Sequence, residues 1–331
     1  LAAGETRQVQ VRAEVPSVGQ QQRLPEGARE KWRLVAVPNG RTGLSEQLRL
    51  THVIRMDHPY LTHTKEGWDE IRELVETEEW AEEKAAERIE RARGWNPPQK
   101  PATHGSVFNK QVYAAERAAL AWQLSRDKKF ARKAADYLRR FADPETGYTV
   151  DPRAPNVQTG RRWQHLVKTY DYVADAGLFS AEDKENIEDV FRTYMELARR
   201  EINGLGNQPL AVLTGALYSA LAVQDWAWVE KFIHGPCGIE WQIGQGIMDD
   251  GWYWELSTGY SMWSAGMLTN MGVALRPWGV EILEDRFPAA LHQELDTSSR
   301  PGEPAGAWGG AHRGMFYAAW GPSYRNYRQI S

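Results

Sequence analysis

The segment from Met248 to Tyr260 combines side chains that can move protons with side chains that can hold a sugar. Its carboxylates can act as acids, bases or hydrogen-bond acceptors, and its rings can stack on the C–H faces of pyranoses. These residues are Asp249, Asp250, Trp252, Tyr253, Trp254 and Glu255. We expect Trp252, Trp254 and Glu255 to contact substrate. The structural alternative is a buried aromatic loop whose carboxylates cap neighbouring helices.

Tyr260 follows a glycine at the end of this segment. A helix is expected to begin at Ser257 or Thr258, which places Tyr260 in its first turn. The positive end of the helix dipole at that point favours a partly anionic phenolate. Tyr260 is therefore a candidate for proton transfer.

A second polar segment, from Gly204 to Leu210, opens an apolar and Ala-rich helix. Asn207 has the residue type of an N-cap, and Pro209 suits the first helical turn. The functional interpretation is that Asn207 and Gln208 present amide donors to the carboxylate of a sugar. Helix capping alone is the structural alternative.

The elements that carry these segments are helices joined by short loops. Periodicity and stop signals predict helices over Thr64 onward, Glu78–Arg93, Gln111–Ser125, Lys129–Phe141, Arg161–Ala176, Ser180 to about Arg200, Asn207–Val223, part of Trp226–Gly246, and Thr258–Leu275. Because strands do not alternate with these helices, a parallel-sheet enzyme is disfavoured. The predicted fold is mainly α, an incomplete (α/α) toroid of paired inner and outer helices.

Three regions are expected along the chain. Residues 1–57 lack helical periodicity, and the alternation in Val9–Val15 and the run Trp32–Val37 predict a small N-terminal β or irregular lead-in. Residues 58–287 form the toroid, which is the catalytic domain. Residues 288–331 lose the helical pattern and read as a β-like C-terminal extension, such as the start of a β-sheet domain.

Composition narrows the class of protein. The 331 residues carry a net charge of −4, which argues against a general nucleic-acid binder, and no apolar run is long enough to span a membrane. The single cysteine, Cys237, excludes an intrachain disulfide. The first residues suit the stretch after a signal-peptide cleavage site, so a secreted or periplasmic location is expected. No His/Cys pair has zinc spacing, so no cofactor is expected to be required, although a structural metal stays open.

The run from Asp250 to Tyr260 resembles the Asp-Gly-x-x-x-Glu-x-Ser-x-x-Tyr segment of heparinase II/III-like and alginate-lyase-like polysaccharide lyases. Asn207 matches the Asn that these enzymes place at the start of an inner helix of an α/α toroid. His58-Pro59-Tyr60-Leu61 resembles their lead-in to the first helix. The resemblance covers roughly residues 58 to 280. Many relatives have a His after the Asn, where this chain has Gln208, although heparinase III-like members also lack it.

The resemblance implies a lyase that cleaves an acidic, uronate-containing polysaccharide by β-elimination. Asn207, with Gln208 or an Arg, would neutralise the C6 carboxylate while a base removes the C5 proton. Tyr260 would protonate the leaving O4. If C5–H and O4 lie on the same face of the sugar, Tyr260 can serve both steps. If they lie on opposite faces, a second residue is required.

Histidines are the candidates for that second residue, although each is also explained by a structural role. They are His104, His165, His234 and His312. We favour His165, which follows two cations, and His312, because a His from beyond the toroid serves some relatives.

A basic segment, Asn156–Trp163, is expected to be a loop that feeds an inner helix. We expect Arg161, Arg162 and Trp163 to lie in substrate subsites. The structural alternative is a solvated, basic helix start.

Two other functions stay open. An inverting glycoside hydrolase on the same toroid would use Asp249, Asp250 or Glu255, and it needs two carboxyls about 6.5–9.5 Å apart. A non-catalytic protein that binds acidic glycans is the other alternative, because the relatives' His is replaced by Gln208.

Overall fold

The computed structural model describes residues 29–36, 46–53, 55–248, 253–280 and 282. The chain divides into two compact units, Leu1–Ile54 and Arg55–Ser331. In the first unit, strands β1 (Arg29–Ala36) and β2 (Glu46–Val53) pair antiparallel, with Arg29 opposite Val53 and Ala36 opposite Glu46. The strand expected over Val9–Val15 and the β-like segment expected over 288–331 lie outside the described residues.

The described part of the second unit is helical. The helices are α1 (Lys65–Thr77), α2 (Glu79–Arg93), α3 (Gly105–Ser125), α4 (Lys128–Phe141), α5 (Val157–Val173), α6 (Ala181–Glu201), α7 (Asn207–Ala222), α8 (Trp226–His234), α9 (Ile239–Gly246) and α10 (Thr258–Leu275). Within the described ranges, none of them is long and apolar enough to cross a membrane.

Local caps explain where several helices begin. Asn156 and Thr159 form a capping box at the start of α5, and Ser180 and Asp183 form one at the start of α6. The helix α5 therefore begins at Val157, and the expectation of a loop over 156–163 is wrong because its first polar residue is a strong N-cap. Asn207 was expected to be an N-cap but is the first residue of α7, and Gly206 is the cap.

The helices α3, α5, α7 and α10 pack side by side and run in the same direction. Phe108 near the start of α3 meets Trp163 of α5, while Gln123 near its end donates to the carbonyl of Tyr172. The same order holds between α7 and α10, where the hydroxyl of Tyr218 donates to the carbonyl of Asn270 over 2.9 Å.

The intervening helices form an outer layer. Helix α2 packs on α3, α4 packs on α3 and α5, α6 packs on α7, and α8 also packs on α7. Because short loops connect the inner helices α3, α5 and α7 to the outer helices that follow them, these pairs run antiparallel. This arrangement confirms the predicted helical toroid, and it brings the N-termini of the inner helices to one end of the layer.

Two adjacent inner helices approach each other through glycine. A Cβ on Gly160 of α5 would lie 2.8 Å from the carbonyl oxygen of Ala211 and from the Cα of Val212 in α7. Gly215 of α7 faces back, since its Cβ would lie 2.9 Å from the carbonyl oxygen of Gly160. The two backbones therefore fit only because neither position carries a side chain, and this contact fixes the height of the neighbouring Arg161.

An aromatic cluster fills the space between the inner and outer layers. Trp163 lies at its centre with 1% of its surface exposed, and its ring stacks on Tyr194 at 4.0 Å between centroids. Phe108, Phe141 and Tyr148 surround the same indole. Many of the 15 Trp and 13 Tyr residues could have lined a sugar site, and these rings serve the core instead.

The segment before α1 is anchored to α5 by one buried carboxylate. Asp171 accepts hydrogen bonds from Nδ1 of His58 at 2.7 Å and from the backbone N–H groups of Tyr60 and Leu61 at 3.0 and 3.1 Å. The Tyr60 hydroxyl donates to the carbonyl of Leu221 in α7. The family-like lead-in therefore has a structural role, because it satisfies Asp171 and the end of α7 together.

Candidate active site

Tyr260 lies in the first turn of α10, at the end of the toroid where the inner helices begin. Ser257 caps this helix, and its side chain accepts from the backbone N–H of Tyr260 at 3.5 Å. The side chain of Tyr260 is not covered by the described residues, since 46% of its surface is exposed. One turn later, the ring of Trp263 lies 6.3 Å from that of Tyr260. The phenol is thus accessible and flanked by a second exposed ring.

Two adjacent arginines of α5 diverge from each other. The guanidinium of Arg161 lies 3.8 Å above the ring of Trp263, which is a close cation–π contact. Arg162 points toward α3, where its guanidinium lies 5.6 Å from the ring of Tyr113. Burial lowers the pKa of Arg162 below its ordinary value, with Arg161 adding to the effect. Of the two arginines, only Arg161 contacts the helix that carries Tyr260.

Asn207 is held by Glu255, which lies in the turn before α10. The side-chain nitrogen of Asn207 donates to Oε1 and Oε2 of Glu255 at 2.7 and 2.9 Å, and its backbone N–H donates to Oε2 at 3.0 Å. Because Gly206 has no side chain with which to cap α7, Glu255 takes that role from another segment. The contact joins the start of α7 to the turn that carries Tyr260.

A buried network supports that turn. Tyr253 is 3% exposed, and its hydroxyl donates to Oε1 of Gln242 at 3.0 Å. The amide of Gln242 donates in turn to the carbonyl of Gly204 at 2.8 Å. Burial, and then the charge of Glu255, raise the pKa of Tyr253 well above its ordinary value. Tyr253 is therefore a neutral, buried tyrosine with a structural role.

A cluster of ionisable side chains lies further along α5, toward its C-terminus. Nδ1 of His165 lies 2.8 Å from Oε2 of Glu116 on α3, and Lys168 lies one turn further on, with its Nζ 5.2 Å from the ring centre of Tyr218. Burial would raise the pKa of Glu116, but His165, Lys168 and Arg117 hold it below its ordinary value. Burial likewise opposes the charge of Lys168, yet Tyr218 and Glu116 raise its pKa. Glu116 and Lys168 therefore favour their charged forms inside the toroid.

The remaining residues predicted from sequence occupy varied places. Gln208 is exposed in the first turn of α7, and Trp254 is 43% exposed beside Gly206. His104 is exposed at the start of α3. His234 lies on the surface and pairs with Glu230 and Glu240. Trp252, His312, Asp249 and Asp250 lie outside the described residues.

Trp163 was expected to lie in a substrate subsite. This prediction is wrong, because the ring of Trp163 is buried in the core. Its indole N–H donates to the hydroxyl of Ser219 at 3.0 Å. Three residues of the candidate site were not predicted from the sequence: Trp263, Glu116 and Lys168. Trp263 follows Tyr260 by three residues, and Lys168 follows Arg161 by seven, so helical spacing would have placed each pair on one face.

The described residues contain no group of three or more His, Cys, Asp or Glu side chains that could hold a metal ion. Over these ranges the polar groups at this end of the toroid include donors to an anion, namely a guanidinium, amides and helix N-termini, with the carboxylate of Glu255 bound to one of the amides.

An α/α toroid that offers a tyrosine, an arginine and exposed indole rings at one end has the features of a carbohydrate-active enzyme for acidic chains. The family model of alginate lyase matches residues 56–231, and the chain belongs to that family. It is accordingly a polysaccharide lyase, as the sequence motifs predicted.

Among solved structures, the chain is similar to an alginate lyase from Bacteroides ovatus, determined at 1.60 Å. The two share 14% identity with a TM-score of 0.56, over 76% of this chain and 86% of that one. This likeness supports the fold. A search of curated proteins found no match.

Proposed function

We propose that the protein cleaves a uronate-containing polysaccharide by β-elimination, with Tyr260 as the residue that protonates the leaving oxygen. The family implies an acidic, uronate-containing polymer as substrate. The observation that carries the assignment of Tyr260 is its accessible phenol in the first turn of α10, next to a ring that holds a guanidinium. A proton donor and a cation at one end of the toroid are what this reaction needs.

The reaction removes the C5 proton and breaks the bond between C4 and O4. The electron pair of the C5–H bond forms the C4=C5 double bond, and O4 leaves with the proton that Tyr260 donates. Negative charge develops on the C6 carboxylate during proton removal, so donors fixed near that group lower the barrier. No water is consumed, and the product carries an unsaturated sugar at its new non-reducing end.

The base depends on the geometry of the sugar. Where C5–H and O4 lie on the same face, Tyr260 as phenolate takes the C5 proton and then returns a proton to O4. Where they lie on opposite faces, His165 is our candidate base, because Glu116 holds its Nδ1 at 2.8 Å and fixes the orientation of the ring. A carboxylate in this position also stabilises the imidazolium that would form.

Asn207 is the amide that the family resemblance assigns to the sugar carboxylate. It stands at the positive end of α7, which favours an anion. Its nitrogen already bonds both oxygens of Glu255, so only part of its donor capacity remains for a ligand. We propose that Asn207 contributes the fixed dipole of its amide, and that another group supplies the positive charge that neutralises the sugar carboxylate.

The test is to incubate the protein with a panel of uronic-acid polysaccharides and to follow the ultraviolet absorbance of the C4=C5 double bond. Tyr260→Phe should reduce this signal by roughly 10²-fold or more, which is the usual size of a general acid–base contribution. Tyr253→Phe is the matched control, because it removes the same atom from a buried tyrosine seven residues away. It should lower the stability and keep the chemistry.

New reducing ends without the ultraviolet signal would contradict the proposal and would instead indicate a hydrolase that uses carboxylates. Equal loss of activity in both Phe variants would show that the turn, rather than the phenol of Tyr260, is required.

A further inference from the structure

The carboxylate of a bound uronate needs a strong donor in this site, and Asn207 is already engaged. An amide nitrogen shared with Glu255 offers a substrate anion little, and the charge of Glu255 itself repels a second carboxylate nearby. The group that neutralises the substrate should therefore be a cation that lies close to Tyr260 and lacks an acidic partner.

Arg161 is the cation of α5 that meets this description among the described residues. His165 is paired with Glu116, and Lys168 is engaged with Tyr218. Arg162 also has a buried nitrogen without an acceptor, Nε, but it donates to Gln158 at 3.1 Å and lies against Tyr113 of α3 rather than against α10. In the part of the chain that the structure describes, Nη1 of Arg161 is buried and has no hydrogen-bond acceptor. A buried donor without an acceptor is costly, and an anion that binds there removes the cost.

Trp263 determines where this guanidinium can be. With Cζ 3.8 Å from the ring centre, the face of the guanidinium is covered by the indole. Cation–π stacking occupies the face of the group and leaves the N–H fork at its edge as the part that can bind a carboxylate. Nη1 of that fork is covered, whereas the Arg161 side chain as a whole is only partly buried, so a carboxylate would meet the fork from its exposed side. A lysine cannot reproduce this arrangement, because its ammonium is a point charge without a planar fork.

The same indole also relates the guanidinium to the phenol. Trp263 and Tyr260 stand one turn apart on α10, with 6.3 Å between ring centres, so the ring that contacts Arg161 is also the neighbour of the phenol. Arg161 and Tyr260 both come from the N-terminal turns of inner helices, where the helix dipoles add positive potential.

We propose that Arg161 binds the carboxylate of the uronate and that Trp263 is the positioning residue that holds Arg161 for it. This inference rests on the proposed function. It attributes the preference for a charged sugar to the guanidinium of Arg161. Trp263 would serve to orient that guanidinium rather than to stack on the sugar.

The experiment measures binding separately from turnover. In a Tyr260→Phe background, calorimetry gives the Kd for the polymer on which the wild type forms the double bond, and for the same polymer after methyl esterification. If no polymer is turned over, the most tightly bound member of the panel is used. The ratio of the two Kd values is compared between variants, because a loss of folded protein would weaken the binding of both polymers to the same extent.

Arg161→Lys should reduce the preference for the free acid roughly tenfold or more, the size of a charge-assisted hydrogen bond. Trp263→Leu should also reduce the preference for the free acid, although Arg161 is still present. Trp263→Phe, which keeps an aromatic ring, should retain much of that preference. Arg162→Lys is the matched control and should keep the preference.

An unchanged ratio in both Arg161→Lys and Trp263→Leu would overturn the inference, as would failure of every uronate polymer to bind. Absence of the double-bond signal from the wild type, with the ratio behaving as expected, would instead refute the lyase chemistry and leave the carboxylate site standing.

Discussion

The carboxylate of Glu255 accepts three hydrogen bonds from Asn207, one from its backbone and two from its side-chain nitrogen. The two residues are 48 positions apart in sequence and belong to the two family-like segments. Their contact makes one unit of the start of α7 and the turn before α10. Glu255 was expected to contact substrate, and in this arrangement its observed role is to hold Asn207.

The first prediction concerns that contact. Glu255→Gln replaces two strong acceptors by one neutral acceptor and brings an amide N–H₂ against that of Asn207. We expect a loss of roughly 1–3 kcal/mol in the free energy of unfolding, as for a charge-assisted hydrogen bond, together with a lower kcat. A double-mutant cycle with Asn207→Ala, measured by urea denaturation, should give a coupling energy of about 0.5–3 kcal/mol. Strictly additive effects would mean that the contact contributes nothing.

The second prediction concerns pH and the buried carboxylate of Glu116. Its pKa in the folded protein is lowered, chiefly because His165 and Lys168 outweigh the effect of burial. A lowered pKa stabilises the fold above the unfolded value of about 4.3, and this contribution is lost as the pH falls through the folded pKa. Glu116→Gln should therefore destabilise the protein at pH 7, by roughly 1–3 kcal/mol.

The difference between wild type and Glu116→Gln should shrink as the pH falls below the ordinary glutamate range. Urea denaturation at a series of pH values measures it. Glu240→Gln is the control, because Glu240 pairs with His234 at the surface and should contribute only about 0–1 kcal/mol. A constant difference at all pH values would exclude the electrostatic explanation.

The third prediction tests the close approach of α5 and α7. Gly160→Ala places a Cβ 2.8 Å from the backbone of α7, so the helices must separate, at a cost of about 1–3 kcal/mol. Gly266→Ala lies in the interior of α10 with no described atom within 4 Å of its new Cβ. There the gain in helix propensity should stabilise the protein by about 0.5–1 kcal/mol. Thermal unfolding of both variants decides the matter, and effects of the same sign would contradict the packing argument.

The fourth prediction separates a core indole from an exposed one. Trp163→Phe loses the hydrogen bond to Ser219 and leaves a cavity, so it should cost about 1–3 kcal/mol in stability while the KM of the folded enzyme stays unchanged. Trp254→Ala removes a ring that is 43% exposed, and it should raise KM with a smaller loss of stability. A raised KM in Trp163→Phe would return that residue to the substrate site.

Local signals made much of the fold predictable. The limits of α10 were predicted at Thr258 and Leu275 and are found there, with Ser257 as the N-cap and Tyr260 in the first turn. The capping box at Ser180 located α6 in the same way. The predicted class of enzyme, which the family match confirms, followed from three short motifs at separate places in the chain, taken together.

The site itself required the tertiary structure. Sequence grouped Arg161, Arg162 and Trp163 as substrate residues, whereas packing turns Arg161 onto Trp263, Arg162 toward Tyr113, and Trp163 into the core. Successive residues on a helix point about 100° apart, so neighbours in a basic run must face different surroundings.

The sequence by itself determined most of the helices, local caps such as Ser180 and the helical turn that carries Tyr260, because these depend on contacts within about four residues. The tertiary structure decided that Glu255 meets Asn207, that Glu116 meets His165 and that Trp263 covers Arg161. Each of these pairs joins different inner helices or the turns that precede them. Their contact depends on how closely and at what height the helices pack, which glycines such as Gly160 set and which no local pattern records.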